Sequence, residues 1–215
     1  MRKTRPLKKL VIIFVIVFSL SSLVVIYGFK YIANNPANGF IRNLPDRTEL
    51  QSTLNSNFND QNSLTLSAVD YELGSKENQP NTNVYDQLGE TYAQLNQSLA
   101  RVYSQDRRDE FEKIWRDHTT ILINYAVSKN NDDQTGQDTA RNDLNFLRER
   151  LSSFLAVDNE SSNRQAVKDS LADYSNNLLS LVESKINQTS QTQAESAGND
   201  KSAELVSRII EEIYR

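Results

Sequence analysis

The chain is predicted to be all-α: a single membrane-spanning helix followed by an antiparallel bundle of about six helices arranged as three helical hairpins. Three observations lead there. Leu10 to Phe29 is a run of apolar and small residues without one charge, long enough for a helix to cross a roughly 30 Å hydrocarbon layer. The rest is rich in Asn, Gln and Ser but holds few Gly and Pro, which favours helices joined by polar turns. Apolar residues there recur at i+3 and i+4 in six separate stretches, the signature of helices with one buried face.

The first stretch starts at Asp46, whose side chain can cap the opening turn, and runs through Leu50, Leu54, Phe58, Gln61, Leu64, Ala68 and Tyr71 to Gly74, which can take the left-handed conformation past a helix end. The polar linker 75–83, with Pro80, interrupts the periodicity. A second stripe is Leu88, Tyr92, Leu95, Leu99 and Val102. The third, from Ser104 to Lys129, carries Phe111, Ile114, Trp115, His118, Ile121, Leu122 and Tyr125. From Asp138 follow Ala140, Leu144, Leu147, Leu151, Phe154 and Leu155. Glu160 to about Asn187 supplies Val167, Leu171, Tyr174, Leu178, Leu181, Val182 and Ile186. A polar linker over 188–200 then precedes a last helix, Lys201 to Arg215, with Leu205, Ile209, Ile210 and Ile213.

These stripes repeat. Leu54-x3-Phe58-x2-Gln61 aligns with Phe111-x3-Trp115-x2-His118 at an offset of 57, and Leu171-x2-Tyr174 aligns with Trp115-x2-His118 at 56. The partner helices agree, since Leu88, Leu95 and Leu99 match Leu144, Leu151 and Leu155 at 56, and Leu147, Leu151 and Leu155 match Leu205, Ile209 and Ile213 at 58. A hairpin of this size cannot bury its apolar face alone. Three copies must therefore pack on one another, and closure into a bundle is expected rather than an open stack.

Five basic residues (Arg2, Lys3, Arg5, Lys8 and Lys9) precede the apolar run and only Lys30 follows closely. The more basic flank stays inside, so residues 1–9 are expected in the cytoplasm, 10–33 as the anchor, 34–45 as a spacer, and 46–187 with the last helix on the outer face of the cell membrane. A cleaved signal peptide is the competing reading, but the apolar core exceeds the usual 7–15 residues and Tyr27 to Ile32 offers no small-x-small site. All 28 acidic residues lie beyond residue 33, against 18 of the 24 basic ones, leaving that part with a net charge of −10. Such a surface repels phosphate backbones and argues against nucleic acid as a partner. With no cysteine there is no disulfide, thiolate metal site or cysteine nucleophile.

Chemistry, if any, concentrates on the third helix, where the single His118 and the single Trp115 share a face with Phe111, Leu122 and Tyr125. One reading makes His118, Trp115 and Tyr125 a ligand pocket, or His118 a metal ligand. The other makes His118 a hydrogen-bonded core residue and Trp115 a core filler. The repeat favours the second, because the equivalents of His118 are Gln61 and Tyr174, poor ligands for soft metals, and one imidazole cannot complete a tetrahedral zinc site. The acidic turn Asn130 to Asp138 fails as a calcium loop: counted from Asp132, positions 3 and 5 are Gln134 and Gly136. Helix capping by Asp132 or Asp138 accounts for it better. Serine-hydrolase, zincin and phosphate-loop motifs are absent, and Glu110 and Glu112 diverge on their helix.

Phe111, Trp115, His118 and Tyr125, spaced F-x3-W-x2-H-x6-Y, followed by the acidic turn at Asn131, Asp132 and Asp133 and an Ala/Leu helix ending in Phe154-Leu155, resemble the repeats of a family of exported or membrane-anchored bacterial helical-repeat proteins. The resemblance covers roughly Leu50 to Val182. It implies an exported helical bundle and no activity. Members that keep a histidine in several repeats invite a metal-binding reading, which Gln61 and Tyr174 weaken here. The expectation is a non-enzymatic, single-pass protein with no cofactor, acting through protein or envelope contacts. The alternative is a small-ligand or metal sensor built on His118 and Trp115.

Overall fold

A computed structural model describes residues 44–74, 83–155, 161–187 and 192–214. The expected basic segment, anchor and nearly all of the spacer lie outside the described residues, as does most of the linker after Gly74. Among the described residues there are six helices and no strand: α1 (Arg47–Glu72), α2 (Val84–Ser98), α3 (Gln105–Asn130), α4 (Gln134–Leu155), α5 (Ser161–Ile186) and α6 (Thr192–Ile213). None of the described helices is long and apolar enough to cross a membrane.

The helices form three hairpins, α1–α2, α3–α4 and α5–α6, and the first helix of each is 26 residues long. These three long helices touch one another about a common axis. Each shorter helix packs between two of them, α2 between α1 and α3, α4 between α3 and α5, and α6 between α5 and α1. The last helix thus returns to the first, and the repeat closes into a bundle with approximate threefold symmetry. Tyr214, just past α6, donates its hydroxyl to the carbonyl of Pro45 at 2.5 Å, and Lys185 of α5 pairs with Asp70 of α1.

Burial follows the repeat register. Leu54, Phe111 and Val167 form one layer, Phe58, Trp115 and Leu171 the next, and Thr65, Leu122 and Leu178 another, all buried. The outer helices agree at Leu95, Leu151 and Ile209, and at Leu99, Leu155 and Ile213. Tyr71 departs from its expected stripe: it is 42% exposed and packs edge-on against Tyr85, because the helical phase at 3.6 residues per turn has by then moved to Ala68 and Val69.

Asp46 caps α1 as expected, its Oδ1 accepting from the Thr48 and Glu49 amides at 2.9 and 3.0 Å, and Gly74 has φ +66°. Three boundaries differ from expectation, the first being that of α2, which ends at Ser98 so that Leu99 is its C-cap and Val102 lies in the turn beyond. The fifth stretch is followed by a helix that begins at Thr192 rather than Lys201, since Gln193, Ala194, Glu195 and Ala197 are helix formers and the segment contains no proline. Of the two expected caps, Asp132 closes α3 through its backbone: it takes the left-handed position (φ 54°) past the helix end, and the Asp133 amide bonds back to the Ser128 carbonyl at 2.8 Å, whereas Asp138 caps neither helix. Asp133 Oδ1 then accepts from the Gly136 amide at 3.0 Å, so α4 starts at Gln134 rather than Asp138.

That turn leaves no room at Gly136. A Cβ there would run into Ser128 Oγ and lie 2.9 Å from Ser128 Cβ and 2.7 Å from Asp133 Oδ2. Gly136→Ala is expected to destabilise the bundle by about 1–2 kcal/mol, the overpacking outweighing alanine's gain of about 1 kcal/mol in helix propensity. A chemical-denaturation midpoint that rises in this variant would show that the turn yields.

Candidate functional site

At mid-height the three long helices place one polar residue each against the axis: Gln61 on α1, His118 on α3 and Tyr174 on α5. The residues that follow, Asn62, Thr119 and Ser175, are equivalent to one another at the same offsets and are also buried. The six side chains form three pairs, one across each junction between the long helices. Gln61 Nε2 donates to Thr119 Oγ1 at 3.1 Å, His118 Nε2 and Ser175 Oγ share a hydrogen bond at 3.1 Å whose donor depends on the tautomer, and the Tyr174 hydroxyl donates to Asn62 Oδ1. Each helix therefore bonds to the next, and the third bonds back to the first. The ring gives these polar side chains partners, at about 0.5–1.5 kcal/mol of net stability per neutral bond and a larger penalty for any group left unpaired.

Aromatic rings enclose it. His118 stacks on Tyr174 with centroids 5.4 Å apart and planes 20° off parallel, and Trp115 meets His118 edge-on at 5.5 Å and Phe58 at 4.4 Å. His118 is 1% exposed and Trp115 is fully buried, with its indole N–H finding no acceptor among the described residues. Burial, with a contribution from the nearby Arg148 charge, pushes the His118 pKa down to about 3. The imidazole is neutral at every physiological pH.

Of the three candidate ligand-binding residues, the fold brings Trp115 and His118 together but ties Tyr125 elsewhere. Two turns further along α3, the Tyr125 hydroxyl donates to Glu183 Oε1 of α5 and accepts from Arg141 Nη2 of α4 at 2.6 Å, while Arg141 also reaches Glu183 at 3.3 Å. Desolvation and then Glu183 push the Tyr125 phenol up to about 12. Among the described residues no three His, Cys, Asp or Glu side chains come together as a metal-binding group. Asn62, Thr119 and Ser175 are the part of the ring that the stripes do not reveal, because they sit one residue off the apolar register. Their signal is the repeat itself, in which the residue after each ring position is small and polar.

No family model, curated protein or solved structure matches the chain.

Proposed function

We propose that the protein is a non-catalytic, membrane-tethered helical bundle that presents a rigid surface on the outer face of the cell membrane for protein or envelope contacts. The observation that carries this reading is the closed ring at His118. The cluster that the sequence singles out for catalysis or metal ligation has its imidazole against Ser175 and Tyr174, and the indole beside it is sealed from solvent. A shape that closes on itself, cross-linked between all three hairpins, suits a scaffold better than a moving sensor. The kinship with exported bacterial helical-repeat proteins, suggested by the F-x3-W-x2-H-x6-Y helix, belongs to the same proposal.

The tether rests on Leu10 to Phe29 and on the basic residues before it. Protease added to intact cells is expected to remove the bundle and leave only a short membrane-embedded fragment. Full protection of residues 46–215 would overturn the topology.

A further inference from the structure

The groove between α4 and α5, which adjoins the Tyr125 cluster through Arg141, holds a half-open pocket of about 210 Å³ lined by Arg141, Leu144, Asn145, Arg148, Asn176 and Leu179. Its two leucines, Leu144 and Leu179, are buried at its base. Arg148 is held there without a carboxylate: Nη1 donates to Asn145 Oδ1 at 2.8 Å and Nη2 to Asn176 Oδ1 at 3.2 Å, while Nε is buried with no acceptor among the described residues. The acid whose field reaches it, Asp173, bonds instead to Lys201 at 3.0 Å. A guanidinium partly stripped of water and answered only by amide oxygens lacks the anion that such a group normally pairs with.

The repeat shows that packing does not demand a cation here. The residues equivalent to Arg148 are Tyr92 and Val206, both buried, so two of the three hairpins fill this position with aromatic or aliphatic surface. Arg141, two turns before Arg148 on the same face, brings a second guanidinium to the groove, engaged through Nη2 with Tyr125 and Glu183. Two arginines thus line one groove on a bundle that is otherwise strongly acidic.

We propose that this groove binds a small organic carboxylate, its carboxylate seated on Arg148 and its apolar body against Leu144 and Leu179. The planar guanidinium matches a carboxylate in two-point geometry, and the volume suits a molecule of a few carbon atoms rather than a polymer. Glu183, beside Arg141, disfavours a second negative charge at that end.

The test is titration of the purified full chain with butyrate at constant ionic strength, followed by the Arg148 Nε–Hε resonance and by the thermal midpoint, with chloride as the control salt. A saturable shift absent with chloride is expected. Arg148→Tyr, which installs the residue found at Tyr92, should keep the fold and abolish the thermal response, and Arg141→Gln should weaken binding by about three- to tenfold, as for the loss of one flanking charge. A shift that never saturates, that chloride reproduces, or that survives unchanged in a folded Arg148→Tyr protein overturns the proposal. If Arg148→Tyr does not fold, Arg141→Gln decides, and an unaltered affinity there counts against the site. None of these outcomes depends on the membrane tether or the scaffold role.

Discussion

Trp115→Ala is expected to destabilise the bundle by about 3–5 kcal/mol, the range for emptying a large aromatic core site. The indole is the largest fully buried side chain among the described residues and touches both neighbouring repeats, Phe58 of α1 at 4.4 Å and Tyr174 of α5 at 6.1 Å, besides Phe111 on its own helix at 5.9 Å. Its equivalents, Phe58 and Leu171, are smaller and equally buried, so the indole is the bulkiest member of that layer. Collapse around an alanine would require the three long helices to approach one another, and the ring one turn away holds them apart. Since the indole N–H has no acceptor among the described residues, the loss is one of packing, and Trp115→Phe, borrowing the Phe58 solution, should recover more than half of it. Urea midpoints of the three proteins at constant slope measure this. An unchanged midpoint for Trp115→Ala would mean that the indole lies outside the core.

The architecture was legible in the chain because the same physical problem is solved three times. Each helix-period stripe marks a buried face, and the offsets of 56–58 tie those faces into equivalent positions; Leu54, Phe111, Leu95, Leu151 and Ile209 are buried as their stripes require. The site was half legible. Comparing Gln61, His118 and Tyr174 across repeats identified a recurring buried polar position, but periodicity says nothing about which side chain answers which, and the partners Asn62, Thr119 and Ser175 stand off the apolar stripe. Asp133 escaped for a related reason: three neighbouring residues, Asp132, Asp133 and Asp138, can all cap, and only the backbone decides that Asp132 adopts positive φ and Asp133 turns to the helix. The α4–α5 groove carries no motif at all. Nothing in the stripes singles out Arg141 and Arg148, and only the fold lays Asn176 and Leu179 beside them.

His118 is expected to make the bundle sensitive to acid. In the folded chain its pKa is near 3, against 6.5 in the unfolded chain, so between these values unfolding takes up a proton that the native state refuses. Stability is therefore unaffected by this group above about pH 6.5 and falls by about 1.4 kcal/mol for each unit of acidification below it, levelling near pH 3. His118→Gln removes that dependence, and the amide can donate to Ser175 as Gln61 donates to Thr119. At pH 7.5 the variant should lie within about 1.5 kcal/mol of the native protein, having lost the stacking on Tyr174 but kept a ring bond. At pH 4.5 the native protein should have lost about 2–3 kcal/mol that the variant keeps, the carboxylates common to both cancelling in the comparison. Urea unfolding at the two pH values gives the difference directly, and parallel acid profiles would show that the imidazole reaches solvent. Repeating the pH 7.5 curves with zinc, copper or a chelator separates the core role from ligation. Both proteins should be insensitive, whereas a metal-dependent gain in the native chain that His118→Gln abolishes would make His118 a ligand and break the ring on which the scaffold reading stands.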